Sequence, residues 1–337
     1  MKPLKYLFIS SMLFVATSCG NSWLDLEPST SVDTETSIKI LSDVEFTLNG
    51  IYSTMQSSDA YSGRLVYYGD VTGDDMQAVS STKRVANYYR FNFTKDDNPS
   101  SHWSYLYSII QNCNLILMNI DKLVIDEGDK AYRDDLKGEA LAIRGLALFD
   151  LTRIFGYPYL KDNGASLGVP IIEGLSTIDS KPTRNTVAQC YTKIIDDLTQ
   201  SLSLLGEKFN KGKINKWGAM VLLSRVYLYK GENANALKMA SDAITGAEKN
   251  KYALWTNEDY PTAWGEDASA SKPGEVLFEI VNLTTDSPGK ESMGYLNSYD
   301  GYDDMCITCS FYQFLKEDPK DIRLKLLSFD KKYYAYV

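Results

Sequence analysis

Histidine, a common carrier of metal and acid–base chemistry, is scarce in this sequence. The chain has 337 residues with a single histidine, His102, and five cysteines. One histidine cannot build a multi-histidine metal site and leaves little scope for histidine-based acid–base catalysis. An odd number of irregularly spaced cysteines does not indicate a disulfide framework. The cysteines are Cys19, Cys113, Cys190, Cys306 and Cys309.

Cys306 and Cys309 form a lone CxxC motif. A redox or metal site on this spacing needs a thioredoxin-like βαβ context or a second CxxC pair, and neither accompanies it. The sequence therefore favours the alternative, two small and partly buried residues in a loop. It does not decide whether the two sulfurs form a disulfide.

Two adjacent carboxylate pairs, Asp74–Asp75 and Asp303–Asp304, are candidates for glycosidase chemistry. Such an enzyme needs two carboxylates on opposite sides of a bond, one of them with a raised pKa. Neighbouring residues rarely face each other across a substrate, so we expect solvated turns or contacts with cations. The sequence also lacks GxSxG, HExxH and Walker-type motifs. These observations predict that the protein is not an enzyme.

The composition is that of a folded, acidic protein with an excess of tyrosine. Hydrophobic residues make up 44% and charged residues 23% of the chain, which is typical of globular proteins. The net charge of -9 disfavours binding to phosphate backbones. There are 24 Tyr against 12 Phe and 5 Trp. The dominant aromatic side chain thus combines an apolar face with a hydroxyl that tolerates water.

The first residues are typical of an export signal. Lys2 and Lys5 precede an apolar run, Tyr6 to Val15, that is too short for a membrane-spanning helix of ~20 residues. This pattern fits the hydrophobic core of a secretory signal. Small residues then lead to Cys19 and resemble a lipoprotein box, although Ala16 stands where that box prefers leucine.

We therefore predict a lipoprotein signal peptide over 1–18, lipid attachment at Cys19 and an extended tether over 19–42. The alternative is ordinary signal cleavage nearby, with Cys19 incidental.

Hydrophobic periodicity predicts a mainly α protein. Trp217 to about residue 249 forms two helices around Gly231, close to the tetratricopeptide period of about 34 residues. Two stretches, 59–102 and 251–337, lack a sustained period and are predicted to be loop-rich, with one strand at Glu275–Val281. The first of them is expected to be a long surface excursion. The predicted helices cover about 43–57, the residues from Trp103 onward, 139–155, 187–205, 217–229 and 234–247. The sequence Thr186-Val187-Ala188-Gln189 predicts a capping box at the start of the helix over 187–205.

Two polar residues interrupt these apolar helices. Asn114 lies on the stripe of the helix that begins at Trp103, and a buried amide there should bond to a neighbouring helix. Arg144 lies in the apolar run from Ala140 to Phe149 and needs a carboxylate or carbonyl partner. We interpret Arg144 as a structural strut rather than a ligand contact. Trp103 and Trp217 are assigned to packing.

Six segments, in order, resemble the SusD/RagB family of Bacteroidetes outer-membrane lipoproteins. The most specific is Gly138-Glu139-Ala140-Leu141-Ala142-Ile143-Arg144, followed by Arg153-Ile154-Phe155-Gly156. Gly145 departs from the alanine usual beside the arginine. The family's late segment has no counterpart here, so the chain looks truncated at its C-terminus. The other matching segments are Trp23 to Pro28, Leu48 to Tyr52, Trp103 to Ile110, Pro182 to Val187 and Ala219 to Gly231.

The resemblance implies a single SusD-like domain over 43–337, an α-superhelix of tetratricopeptide-like repeats with an irregular, ligand-facing loop layer. The helical scaffold would lie at about 43–57, 103–156 and 186–250, and the loop layer at 59–102 and 251–337. It further implies a surface-exposed, lipid-anchored protein of the outer membrane. Such proteins capture oligo- or polysaccharide and deliver it to a SusC-like TonB-dependent transporter.

The resemblance directs attention to aromatic residues in the loop layer, because aromatic rings stack on the C–H face of a sugar while polar groups bind its hydroxyls. The alternative is that these rings only pack the loops onto the helices. The candidates for glycan binding are Tyr88, Tyr89, Arg90, Trp264, Tyr295 and Tyr299.

A second function remains open at this point: a helical-repeat adaptor that binds only protein partners. The aromatic loops favour the glycan interpretation, since an adaptor has no need of them. No cofactor or nucleic-acid partner is expected, and the sequence decides neither the identity of the glycan nor whether calcium binds.

Overall fold

The computed structural model describes residues 37–94, 100–177, 179–207, 210, 212–264, 274–283, 285–329 and 335–336. Contacts divide the chain into Met1–Lys39 and Ile40–Val337, and the architecture below is that of the second unit. The predicted signal peptide, Cys19 and most of the predicted tether lie outside the described residues. Among the described helices, none is both long and apolar enough to cross a membrane.

The described part of the chain is mainly α-helical, as predicted. Helices α1 and α4 to α8 form the scaffold, in which each helix from α4 to α8 packs against the next and α1 packs against α4 and α5. The helices are α1 Leu41–Met55, α2 Arg64–Val71, α3 Ala86–Tyr89, α4 Ser100–Asn119, α5 Lys130–Phe155, α6 Val187–Leu204, α7 Lys216–Lys230, α8 Asn233–Lys249, α9 Tyr260–Ala263, α10 Met293–Asn297 and α11 Cys309–Lys316.

The ends of the scaffold helices follow from local hydrogen bonds. The Thr186 hydroxyl accepts from the Gln189 N–H, and the Gln189 side chain accepts from the Thr186 N–H, which confirms the predicted capping box. Gly231 ends α7 at φ 83°, in the left-handed region that favours glycine. Helix α1 begins earlier than predicted, because the Asp43 carboxylate accepts from the N–H of Ile40.

Arg144 and Asn114 connect three elements inside the scaffold. The guanidinium donates to both carboxylate oxygens of Asp197 on α6, at 2.8 and 2.7 Å, and to Asn114 Oδ1 on α4 at 2.8 Å. Asn114 Nδ2 donates in turn to the carbonyls of Ile172 and Gly174. Both predictions are confirmed: Arg144 is a strut with a carboxylate partner, and Asn114 bonds across helices.

Gly145, the departure from the family pattern, lies where α5 and α6 approach closely. A Cβ at this position would lie 3.0 Å from Leu198 Cγ. Because glycine has no Cβ, α6 can pack nearer to α5 at this position. This closer packing offsets part of the cost of ~1 kcal/mol that glycine has in a helix interior.

The described part of the structure contains four short strands in two antiparallel pairs. Strand β1 pairs with β2 in the register Met76↔Ile307, Gln77↔Cys306 and Ala78↔Met305. The strands are β1 Met76–Ala78, β2 Met305–Ile307, β3 Ser328–Phe329 and β4 Ala335–Tyr336, with β3 paired to β4.

The prediction of a strand at Glu275–Val281 is wrong. Its described residues form no ladder, because side chains of the scaffold bind its carbonyls instead. Asn215 Nδ2 donates to the Leu277 carbonyl at 2.7 Å, and Gln56 Nε2 donates to the Val281 carbonyl.

The stretch 59–102, expected to be a long surface excursion, has a core of its own. We call this the loop-layer core: seven buried residues that two segments distant in sequence share through the β1–β2 pair. The expectation failed because this burial depends on pairing with residues near 300, which local periodicity does not report. The core comprises Tyr67, Val71, Met76, Val85, Leu296, Met305 and Ile307.

The CxxC residues occupy regular structure rather than a loop, contrary to expectation. Cys306 is buried in β2, whereas Cys309 is exposed at the first turn of α11, and the two cysteines form no disulfide.

Candidate functional site

Three of the six candidate binding residues, Tyr88, Tyr295 and Trp264, each belong to a separate group of aromatic side chains in the loop layer. We call these groups the tyrosine–phenylalanine group (Tyr68, Tyr88 and Phe93), the tyrosine pair (Tyr295 and Tyr302) and the tryptophan cluster (Trp255, Tyr260 and Trp264).

The tyrosine–phenylalanine group packs the loop layer together. The half-buried Tyr88 ring lies 5.4 Å from Tyr68 at 86° and 5.9 Å from Phe93, and it also contacts the loop-layer core. Tyr88 therefore has a packing role whether or not it contacts a ligand. The neighbouring candidates Tyr89 and Arg90 are exposed.

The single histidine belongs to the same packing. His102 is buried beside Tyr68, with Nδ1 3.0 Å from the Asp59 carbonyl. Burial lowers the pKa of His102, which keeps the imidazole neutral.

The tyrosine pair is held by charged neighbours. Tyr295 and Tyr302 meet edge to face at 5.2 Å, and the Arg84 guanidinium covers the Tyr302 ring at 4.1 Å. Arg84 Nε donates to the buried Asp304 carboxylate at 3.0 Å. The candidate Tyr299, in the same segment, is 46% exposed.

The adjacent carboxylates have the roles expected of them. Asp304 and Asp303 contact Arg84 and Lys83, respectively, and burial raises the pKa of Asp304 even though Arg84 opposes it. Asp74 and Asp75 are exposed in a turn.

The tryptophan cluster offers the most exposed large ring among the candidates. Trp264 is 60% exposed, whereas Trp255 and Tyr260 are half-buried beside it. The centroids of Trp255 and Tyr260 lie 5.3 and 5.7 Å from that of Trp264. Two aromatic neighbours thus hold an exposed indole in place.

Hydrogen bonds around α9 fix this arrangement. The backbone N–H of Trp255 donates to the Glu275 carboxylate at 3.0 Å, which connects the start of the cluster to the segment after residue 274. Thr256 Oγ1 donates to the Asp259 carboxylate and accepts from its N–H, which closes the turn before α9. Hydroxyl and carboxylate groups therefore belong to the same segments as the aromatic rings, and a sugar site needs such polar groups.

The candidates predicted from the sequence omit Arg84, which covers Tyr302, and five members of these groups: Tyr68, Phe93, Trp255, Tyr260 and Tyr302. The four-residue spacing of Tyr260 and Trp264 was an available indication of contact on one helical turn. The contact of Arg84 with Tyr302 joins residues that are far apart in the sequence, so no local sequence pattern indicates it.

A cavity of about 780 Å³, lined by both polar and apolar groups, lies apart from these groups, between the start of α5 and the end of α6. Its wall includes Glu139, which is 3% exposed and accepts a hydrogen bond from the Tyr52 hydroxyl at 2.7 Å. Burial raises the pKa of Glu139 to about 7. Among the described residues, no group of three or more His, Cys, Asp and Glu side chains could hold a metal ion.

The tetratricopeptide-like scaffold and the aromatic loop layer place this chain in the class of helical-repeat proteins. Comparison with known sequences identifies its family within that class. Residues 22–228 match the SusD-like family described as starch-binding and associating with the outer membrane. The chain belongs to this SusD-like family.

Individual relatives agree with this assignment. SusD-like protein P2 of Formosa agariphila is 28% identical over 313 residues, which cover 89% of this chain and 57% of the relative. A SusD-like protein of Bacteroides ovatus is 25% identical, over 66% of this chain and 39% of the relative. The chain thus spans only part of the length of these curated relatives.

Solved structures share the fold. A crystal structure from Bacteroides vulgatus has a TM-score of 0.88 and 82% sequence identity, covering 90% of this chain and 68% of that one. A SusD superfamily protein from the same organism has a TM-score of 0.82 and 36% identity, covering 89% and 68%. A laminarin binding SusD-like protein, at 20% identity and a TM-score of 0.69, covers 89% and 70% and shares the fold alone.

Proposed function

We propose that this protein is a cell-surface glycan-binding lipoprotein that captures oligo- or polysaccharide and delivers it to a TonB-dependent outer-membrane transporter. The family description supports binding to starch and association with the outer membrane. The observation that carries the proposal for this chain is the tryptophan cluster, which presents Trp264 with 60% of its surface exposed.

The chemistry of the proposed site is stacking. The C–H face of a pyranose packs on an indole and removes apolar surface from water, while its hydroxyls need polar partners at the rim. Thr256, Asp259 and Glu275 are hydrogen-bonded within and to the segment that carries the rings, and they provide hydroxyl and carboxylate groups. Stacking tolerates many sugars, so these polar neighbours would set the preference among them.

Replacing Trp264 with alanine tests the site. We expect about tenfold weaker glycan binding, equivalent to about 1.4 kcal/mol, without a lower melting temperature, because the ring is exposed. Isothermal titration against plant, host and microbial polysaccharides measures the affinity. The matched control is Phe46→Ala, which removes an aromatic ring 72% exposed on α1. Equal affinities of the Trp264→Ala variant and the unaltered protein would refute the assignment.

Glycan binding by the other candidate residues is also a proposal, and fewer observations support it than for Trp264. Tyr89, Arg90, Tyr295 and Tyr299 lie in the loop layer outside the tryptophan cluster. Tyr88→Ala is a poor test of binding, because removing a ring packed against Tyr68 also weakens the fold.

The alternative function, an adaptor that binds only protein, fits the repeat helices equally well. Titration and co-purification separate the two functions. Binding to no glycan, together with retained capture of the transporter, would favour the adaptor. Neither function requires a catalytic step or a cofactor.

A further inference from the structure

We propose that the tryptophan cluster holds one sugar ring, at the end of a chain or on a short branch, rather than a run of consecutive sugars in a linear chain. This inference rests on the proposed function and specifies the class of substrate at the same site.

The angles between the rings carry the inference. Trp255 and Trp264 are inclined by 74°, Tyr260 and Trp264 by 87°, and Trp255 and Tyr260 by 69°. A linear glycan that stacks two successive sugars needs two aromatic faces turned toward the same side. Here a chain lying flat on Trp264 meets neighbouring rings that are turned nearly perpendicular to it.

Exposure leads to the same conclusion. Trp264 is the exposed member, while Trp255 and Tyr260 are half-buried against it. The backbone also approaches Trp255 closely, since a Cβ on Gly274 would lie 2.5 Å from its Nε1. Trp255 and Tyr260 are therefore positioning residues that orient one stacking face, and a single indole covers about one pyranose ring.

The other aromatic groups do not extend this face into a platform. Tyr295 and Tyr302 are inclined by 85°, and Arg84 covers one face of Tyr302. Tyr68 and Tyr88 are inclined by 86°. Tyr88 and Phe93 are flatter, at 32°, but Tyr88 is packed against the loop-layer core.

Chain length is the variable that tests the inference. Isothermal titration would compare maltose, maltotetraose and maltooctaose, and a parallel laminari-oligosaccharide series from two to six units. For a one-ring site we expect affinities within about threefold across each series, because added sugars gain no further stacking. An affinity at least about tenfold higher for the longest member than for the disaccharide would overturn the inference.

The same titrations separate this inference from the proposed function. Binding that strengthens with length refutes the one-ring site and leaves glycan capture intact. If the protein binds another polysaccharide of the panel instead, the oligosaccharide series of that polysaccharide replaces these probes. Binding to no glycan of the panel contradicts both.

Two variants at Tyr260 test its positioning role. We expect Tyr260→Ala to weaken binding about fivefold and to make Trp264 fluorescence easier to quench, since the indole loses a wall. Tyr260→Phe retains the ring and should restore both the affinity and the fluorescence. Unchanged quenching in Tyr260→Ala would show that Tyr260 does not orient Trp264.

Discussion

At the scale of single residues, two buried charged groups in the scaffold have different surroundings. Arg144 is matched by the Asp197 carboxylate and the Asn114 amide. Glu139 is 3% exposed and accepts a hydrogen bond from the Tyr52 hydroxyl, with Lys213 acting at longer range and Asp135 and Glu45 opposing ionisation. Glu139 therefore makes the stability of the fold depend on pH.

We predict that Glu139→Gln removes this dependence. The pKa of Glu139 is raised from 4.5 to about 7 in the folded protein, so the folded state retains a proton that the unfolded chain releases. The corresponding stability is fully present below pH 4.5 and is lost as the pH rises through 7. The loss is on the order of 3 kcal/mol, at 1.36 kcal/mol per pKa unit.

Urea unfolding at pH 4.5 and pH 8 measures this effect. The Glu139→Gln variant should match the unaltered protein at the lower pH and exceed its stability at the higher one. Glu127→Gln is the control, since Glu127 is largely exposed and pairs with Lys130 on the surface. A Glu139→Gln variant that is less stable at pH 8 would contradict the prediction.

At the scale of elements, the packing of α7 against α8 depends on a close contact between one tryptophan and one glycine. Trp217, at the start of α7, is buried, and its ring occupies the space beside Gly246 on α8. A Cβ on Gly246 would lie 2.0 Å from Trp217 Cζ3. The glycine therefore makes room for the tryptophan at the interface of this helix pair.

We predict opposite effects of the same substitution at two helical glycines. Gly246→Ala should destabilise the protein by about 1–3 kcal/mol, because the overlap with Trp217 forces the helices apart. Gly50→Ala, on α1, should stabilise it by up to about 1 kcal/mol, since no atom lies within 4 Å of the added Cβ. Thermal melting of both variants measures the difference, and equal shifts would refute the packing argument.

At the scale of the whole molecule, the described chain combines a helical scaffold with a loop layer that has its own core. The scaffold is built by helices adjacent in sequence, whereas the loop-layer core joins residues near 70 to residues near 300. We propose that this assembly is held at the membrane by a lipid on Cys19.

We predict that Cys19→Ala releases the protein from membranes, because acylation at this thiol would be its attachment. Fractionation of cells that express the full chain measures the distribution between membrane and soluble material. Cys309→Ala is the matched control, since it removes an exposed thiol elsewhere and should leave membrane association unchanged. Membrane retention of the Cys19→Ala variant would count against lipidation.

Much of the scaffold was predictable from the sequence, because helix periodicity and capping depend on residues within a few positions. The capping box at Thr186, the helix end at Gly231 and the need of Arg144 for a carboxylate or carbonyl partner were all predicted, and the structure confirms them. The candidate site was predictable only in part. Trp264 was identified, but its partners Trp255 and Tyr260 were not.

The sequence by itself determined the helical scaffold, the polar residues that brace it and the family to which the chain belongs, since these depend on local patterns. Tertiary structure decided which aromatic rings meet, at what angles and with what exposure. It also replaced the expected strand at Glu275–Val281 with an extended segment bonded to Asn215, and it gave the loop layer a core. The physical reason is that these features depend on contacts between residues far apart in the chain, which leave no periodic pattern in either segment.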